Sequence, residues 1–600
     1  MTDPDISRSN EPMTGDSISE SQTGDAGDTK HLKLDRPRSA PVHITVADSS
    51  TEQVSAFVFD FEDLRDSRSL CKFFGHINDP LILVDGSFLV DLSRSPNARL
   101  PSRSQLPAAA IVTLNESNVH SVKVFALSYH WGSLEHPDPH GKFLADAALL
   151  TQTYLALGPH QRVCFFADFM SMYGPSGCAK ASIPTHHLAF AHQLATVVWL
   201  HDDVSACRRL GSWGTEDLLI SSISDPASFS TRVLDFRLID TTKNYTSWNQ
   251  VMNDCSGRRL QRPLLSKAAY RYHLNSGFED PDNIQGVLLE AYSRIYDTIV
   301  PSLVQLPCND LNWTHKEYTA IAGALHDCSS LEIVDMSRNR DLHGSIDVFA
   351  SVSKLHTLKL SQTGVHGNID YFVRGRSSVL QHLDLSDTAI TGGLEAFTSC
   401  ANLHVLRLHG SKVMGNVKAL KKLTTLRVLD LGNTMVTGSV TAFDTCRHLQ
   451  VLNLHKLQVM GDVKELAQLP RLCVLDLSEA QVEGDIIHFS TATTLRELDF
   501  SHCDQICGDV VDIALLVRLE NLNLSFCHRI SGDIISLGTC TALTELDLSY
   551  TEVEGSVSTL ARCKGLRKLH LDYTQVSGES SDIQAQLPAC SASISQWKIF

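Results

Sequence analysis

Two apolar stretches of this chain end in polar side chains of the kind that meet a ligand. VFALSYHWG (124–132) delivers Ser128, His130 and Trp131 to the end of one candidate strand, and RVCFFAD (162–168) delivers Asp168 to the end of another. In open α/β sheets the crevice at the carboxyl ends of strands holds small molecules. The same residue types equally cap helices and form turns. Cys503, Cys507 and His502, with Cys527 and His528 further on, make the nearest approach to a metal set. A structural zinc site needs four convergent ligands, usually with C-x-x-C spacing, and the chain has no C-x-x-C, so structural cysteines and no metal are expected. In THHLAFAH (185–192), His187 and Phe190 lie near one helical face with His186 elsewhere, which is no ligand set. Phosphate-loop, H-E-x-x-H and G-x-S-x-G signatures are absent, and GPSG at 174–177 reads as a turn.

Short apolar runs must position these groups. Candidate strands are VSAFVFD (54–60), PLILVDG (80–86), AAAIVTL (108–114), VKVFALSY (122–129), RVCFFAD (162–168) and ATVVWLH (195–201). Helix-like segments at 141–157 and 185–195 separate the last three, an alternation that predicts a parallel sheet with helical crossovers, hence an α/β domain over 42–300. Residues 1–41, rich in Ser, Asp, Thr, Gly and Pro, cannot bury enough surface to order themselves and read as a disordered tail. The 600 residues are 43% hydrophobic and 20% charged, a globular composition with room for several cores. The net charge of −17, from 68 acidic and 51 basic side chains, argues against nucleic acid and anionic membranes as partners. Neither a membrane span nor a signal-peptide start is found, so a cytoplasmic protein with its 16 cysteines reduced is expected.

The strongest pattern is L-x-x-L-x-L, with its first residue at 331, 355, 380, 403, 426, 449, 472, 495, 519, 543 and 566. A glycine follows 12 or 13 residues after each first leucine, from Gly344 to Gly578. Units this short cannot enclose a core alone, but stacked coils bury a continuous ladder of leucines, so a solenoid is predicted over 331–578. LDLSDTAITG and LDLSYTEVEG resemble the leucine-rich repeat family, and the glycine resembles its plant-type variety. That family's asparagine, which bonds the backbone of adjacent coils, survives only as Asn339. Its place is taken by Thr363, Thr388, Ser411, Thr434, Thr551, Thr574, Cys503, Cys527, Leu457 and Ala480, which predicts a weaker spine at the last two. Cys328, Cys400, Cys446, Cys540 and Cys563 each stand three residues before a repeat's first leucine and read as small buried side chains. Residues 301–330, with Trp313 and the helical stretch 316–328, read as linker and N-terminal cap. Residues 579–600, with Trp597, Ile599 and Phe600, read as the C-terminal cap.

The resemblance implies a concave face lined by the strands. One exposed column would then read Asp335, Lys359, Asp384, Arg407, Asp430, Asn453, Asp476, Asp499, Asn523, Asp547 and His570. Its aspartates either suit a basic protein partner or bond neighbouring serines and backbone. Phe526, Tyr550 and Tyr573, in line on consecutive coils, are either binding anchors or packing under the C-terminal cap.

VFALSYHWG, FFADFMSMYG (165–174), VVWLHDD (197–203) and SWGTEDLLISS (212–222), in this order, resemble heterokaryon-incompatibility domains and a related TIR-like group of protist proteins. The resemblance implies a flavodoxin-like sheet whose crevice, with Ser128, His130, Trp131, Asp168 and Trp213, binds NAD. A glutamate after a tryptophan would assist nicotinamide cleavage by steadying a ribosyl cation. Here that pattern falls on Trp213 with Asp217, Glu216 preceding it, and Gly174 replaces the family's glutamine. The expectation is a protein-binding scaffold that works through its solenoid and needs no cofactor. The alternative is an effector that binds or cleaves NAD under the solenoid's control.

Overall fold

The computed structural model describes residues 67–74, 81–129, 136–167, 170, 190, 192, 194–200, 219–222, 232–277, 285–374 and 379–595. The tail 1–41, the candidate strand 54–60, and Trp597, Ile599 and Phe600 lie outside the described residues.

Among the described residues before the repeats, six strands form one sheet: β1 (Leu83–Asp85), β2 (Ile111–Val112), β3 (Val122–Ser128), β4 (Arg162–Phe166), β5 (Thr196–Trp199) and β6 (Val233–Asp235). Their order is β2-β1-β4-β3-β5-β6. β3 pairs in parallel with both β4 and β5, and β5 with β6. β1 and β2 are antiparallel additions at the β4 edge, so the sheet is mixed rather than wholly parallel. A short apolar run carries no direction, which the register alone assigns. The helices α1 (Gly86–Ser93) and α2 (Lys142–Leu157) lie between strands. On the inner face, Phe125 stacks on Phe165 at 5.8 Å, and Tyr154 meets Phe125 edge-on at 5.5 Å. Asp138, in the loop before α2, holds the helix's first turn: its carboxylate accepts the backbone N–H groups of Leu100, Phe143 and Leu144, which satisfies its burial.

The leucine motifs supply a parallel ladder of three-residue strands. Leu406, Leu429 and Leu452 are direct register partners, fully buried, because alternate residues of a strand point to opposite faces. Among the described residues this sheet has thirteen strands. Gln305–Pro307 closes its first edge and Ser591–Ser593 its last. Each return segment also pairs: a second parallel sheet of ten strands, such as Met435–Ser439 on Gln458–Asp462, runs alongside. It is followed in most coils by a 3-10 turn whose Phe or Leu, Phe443 for example, is buried in the coil interior.

Asn339 ties the first coil to the segment before it. Its Oδ1 accepts from the N–H groups of Leu311 and Trp313, and its Nδ2 donates to the carbonyls of Cys308 and Met336. The threonines do something narrower: Thr363, Thr388, Thr434, Thr551 and Thr574 each donate to the carbonyl three residues back in their own coil. Cys503 and Cys527 reach further, donating S–H to Leu477 and Phe500 of the preceding coil. Leu457 and Ala480 are buried without a polar side-chain atom, and the Ser411 hydroxyl has no partner among the described residues. The coil-to-coil spine is therefore interrupted rather than uniform.

The α/β region joins the solenoid through side chains. Arg258 donates to the Asn309 carbonyl at 2.9 Å, and the Tyr296 hydroxyl to Asp327 at 2.7 Å. Tyr270 and Tyr292 stack at 3.8 Å between the helices Lys267–Gly277 and Gln285–Ile299.

Candidate functional site

Three columns of side chains point outward from the thirteen-stranded sheet, because residues two apart on a strand share a face. The middle column is that of Asp384, Asp430, Asp476, Asp499 and Asp547. Each spends Oδ1 on the backbone N–H two residues ahead: Ser386, Gly432, Ser478, Ser501 and Ser549. Asn453 and Asn523 make the same bond to His455 and Ser525. This turn lets the chain leave the strand, and it is the local bonding that sequence reading offered as one of two explanations.

Register divides the column electrostatically. Asp335, Lys359, Asp384, Arg407 and Asp430 are successive partners, and their signs alternate. From Asn453 onward the partners are Asp476, Asp499, Asn523 and Asp547, with no cation until His570. Asp476 and Asp499 stand side by side. Burial first, and Asp476 among its neighbours, raise the Asp499 carboxyl above the usual range, against its bonds from Ser501 and Asn523. Burial likewise raises Asp430, opposed by the Gly432 N–H and by His409 and His455.

The column on one side holds Val405, Val428, Val451 and Val474, register partners in turn and half-buried. It becomes Glu497, Asn521 and Glu545 from the Asp499 coil onward. On the other side His409 and His455 lie 5.0 Å apart across Gly432, whose β-carbon, if present, would come within 2.3 Å of the His455 ring. Neither the valine stripe nor the histidine pair is singled out by the sequence analysis. Both were legible by reading the flanking columns as the aspartate column was read.

Phe526, Tyr550 and Tyr573 form a ladder that His502 extends. Centroids are 4.2 Å from His502 to Phe526, 4.2 Å from Phe526 to Tyr550 and 4.6 Å from Tyr550 to Tyr573, with interplanar angles of 14°, 15° and 28°. All four residues have positive φ, 55° to 61°, a position that recurs in every coil from Arg338 onward. Holding it costs bulky residues free energy that glycine or asparagine would spare. The rings are half-buried against one another, His502 is exposed, and the edges rather than the faces reach solvent.

Ser128 lies at the carboxyl end of β3, buried, with Leu200 donating its N–H to the Ser128 carbonyl. His130, Trp131, Asp168, Trp213, Glu216 and Asp217 lie outside the described residues. The cysteines that precede the repeats are buried, and Cys446, Cys540 and Cys563 donate S–H to carbonyls of the coil before. Cys507 donates to the Gly484 carbonyl. Among the described residues no three His, Cys, Asp or Glu side chains converge as metal ligands. Among the same residues no helix is long and apolar enough to cross a membrane.

No family model matches this sequence, and no curated protein does. Solved structures are similar to it. The plant peptide hormone receptor RGFR1 in complex with RGF2 is 24% identical with a TM-score of 0.39, over 46% of this chain and 45% of that one. The leucine-rich repeat ectodomain of the Arabidopsis receptor kinase HAESA, in complex with an IDA peptide hormone ligand, is 23% identical with a TM-score of 0.41, over 50% and 54%. A leucine-rich repeat protein of Leptospira interrogans is 17% identical with a TM-score of 0.40, over 62% and 97%. This chain thus spans about half of those two plant receptor chains.

Proposed function

We propose that the protein is a binding scaffold whose solenoid takes a basic segment of a protein partner along its concave face. The observation that carries this is the Asp476–Asp499 pair: two carboxylates in direct register, flanked in the same column by the uncharged Asn453 and Asn523, with the His455 ring 3.9 Å from Asp476 as the basic group facing them. Like charges placed opposite each other on a sheet face destabilise it. Asn453 and Asn523 show that an uncharged side chain makes the same turn. The charge is therefore surplus to folding and available to a cationic partner. The Val405–Val474 stripe and the Phe526–Tyr573 ladder supply apolar contact beside it, the combination from which binding hot spots are built.

The test uses the full chain and a labelled extended peptide of alternating Lys and Val. Asp476→Asn with Asp499→Asn should weaken its binding about tenfold, the equivalent of about 1.4 kcal/mol, and leave the thermal midpoint no lower, since a like-charge repulsion is removed. Unaltered binding would sink the concave-face reading.

A second reading, an NAD-binding or NAD-cleaving effector, is favoured by one feature. β3 lies between β4 and β5, so the strand order reverses beside Ser128, and ligands of doubly wound sheets bind at such a reversal. Nicotinamide release from NAD by the full chain, lost in Asp217→Ala with Glu216→Ala, would establish it; no release would remove the catalytic version.

A further inference from the structure

On the other side of most coils, the residue that ends the return strand caps the short helical turn that follows it, Gly393 and Ser556 excepted. Ser345, Asn368, Asn416 and Ser439 accept the N–H two residues ahead with a side-chain oxygen. In the next four coils the cap is always aspartate, at Asp462, Asp485, Asp509 and Asp533, making the same bond at 2.8 to 2.9 Å. Serine or asparagine suffices for the cap, so four consecutive carboxylates exceed what the turn needs.

The residue that receives this cap changes character over nearly the same coils. It is Asp347, Asp370, Glu395, Lys418, Thr441 and Lys464 in the earlier coils and Ser558 in the last of them. In the three coils between it is Ile487, Val511 and Ile535, which are 47%, 54% and 54% exposed. Polar residues hold the position elsewhere, so folding does not require β-branched aliphatics there. The middle coil adds Leu515 and Val517, 67% and 55% exposed, where neighbouring coils carry threonine. Neither Asp485, Asp509 nor Asp533 has a basic partner among the described residues.

We propose that this row is a docking surface for a basic amphipathic helix of a protein partner. Adjacent coils of a parallel sheet stand about 4.8 Å apart, so Ile487 to Ile535 spans about 10 Å. Apolar residues at i, i+3 or i+4, and i+7 of a helix span about 10.5 Å at 1.5 Å per residue. Alternate residues of a strand would need about 13 Å for three contacts and fall out of step. The carboxylate row two residues away sets the sign: the flank of the docked helix must be Lys or Arg. Arg518, His488 and Arg529 are the basic groups nearby in sequence, Arg529 at the far end of the strand that Asp533 closes, and Asp504, Asp512 and Glu483 stand among them.

The test uses the full chain and a labelled 14-residue Leu/Lys amphipathic helical peptide, with its Leu/Glu counterpart. The Leu/Lys peptide should bind. Ile487→Ser with Val511→Ser and Ile535→Ser should weaken it at least tenfold. Asp485→Asn with Asp509→Asn and Asp533→Asn, which preserves the caps, should weaken it and abolish most of its salt dependence. Asp476→Asn with Asp499→Asn, on the other face, should leave it unchanged, which separates this surface from the concave one. Equal affinity for the Leu/Glu peptide, or affinity unchanged by both triple variants, would overturn the proposal. So would a concentration-dependent dimer in sedimentation that the triple serine variant dissolves, since the occupant would then be a second copy of this chain.

Discussion

Gly532 sits with φ +107° directly over the Asp509 cap of the preceding coil, where a β-carbon on it would fall 1.9 Å from Asp509 Oδ1. The recurring glycine therefore answers two demands at once, a backbone conformation that side chains resist and a close approach to the previous coil's cap. Gly344, the first of the series, meets a different obstacle: its β-carbon would strike the Tyr318 ring at 2.1 Å.

Replacing Gly532 by Ala should cost about 3 kcal/mol in urea unfolding. Adding Asp509→Ser should recover part of that loss, because it relieves the steric conflict and leaves the strained φ. Strictly additive losses would show that the two residues do not meet.

Leu452 is fully buried between Leu429 and Leu475 in the ladder. Leu452→Asp should cost at least about 4 kcal/mol and unfold neighbouring coils, since stability here is carried by nearest-neighbour stacking. Asp430→Ala, one column away and facing outward, should leave the thermal midpoint within a few degrees. Circular dichroism distinguishes the two.

Asn339 satisfies two N–H groups and two carbonyls across the start of the solenoid. Asn339→Ala should cost about 3 kcal/mol, whereas Thr363→Val, which loses one bond within its own coil, should cost about 1 kcal/mol. Equal costs would mean that the cross-coil bonds add nothing.

Burial first, then the neighbouring cations Lys359 and Arg407, push the His382 imidazole down to about 4. Its Nε2 is buried without a hydrogen-bond partner among the described residues. Below its ordinary value of 6.5 the unfolded chain takes up a proton that the folded one refuses. The resulting stability is complete above pH 6.5 and drains away as pH falls toward 4. With partial solvent screening allowed for, this amounts to about 1 kcal/mol between pH 7 and 5. His382→Gln should flatten that part of the pH–stability curve, and an unchanged slope would refute the assignment.

Leucine spacing alone determined the stacked coils, since a 23-to-25-residue unit has no other way to bury its apolar face. The glycine period, the buried cysteines and the outward aspartate column were legible for the same reason: position in a repeat fixes inward or outward. Tertiary structure decided what depends on neighbours distant in sequence. Residues 23 apart became register partners, which made Asp476 and Asp499 a like-charged pair and Asp384 and Arg407 an oppositely charged one. Backbone pairing turned the return segments into a second sheet and set β1 and β2 antiparallel, because strand direction and partnership are properties of hydrogen bonds between strands, not of composition. The aliphatic row Ile487–Val511–Ile535 looks in sequence like more core; only the fold shows that Ile486, Val510 and Ile534 fill the interior and that the next residue of each pair faces water.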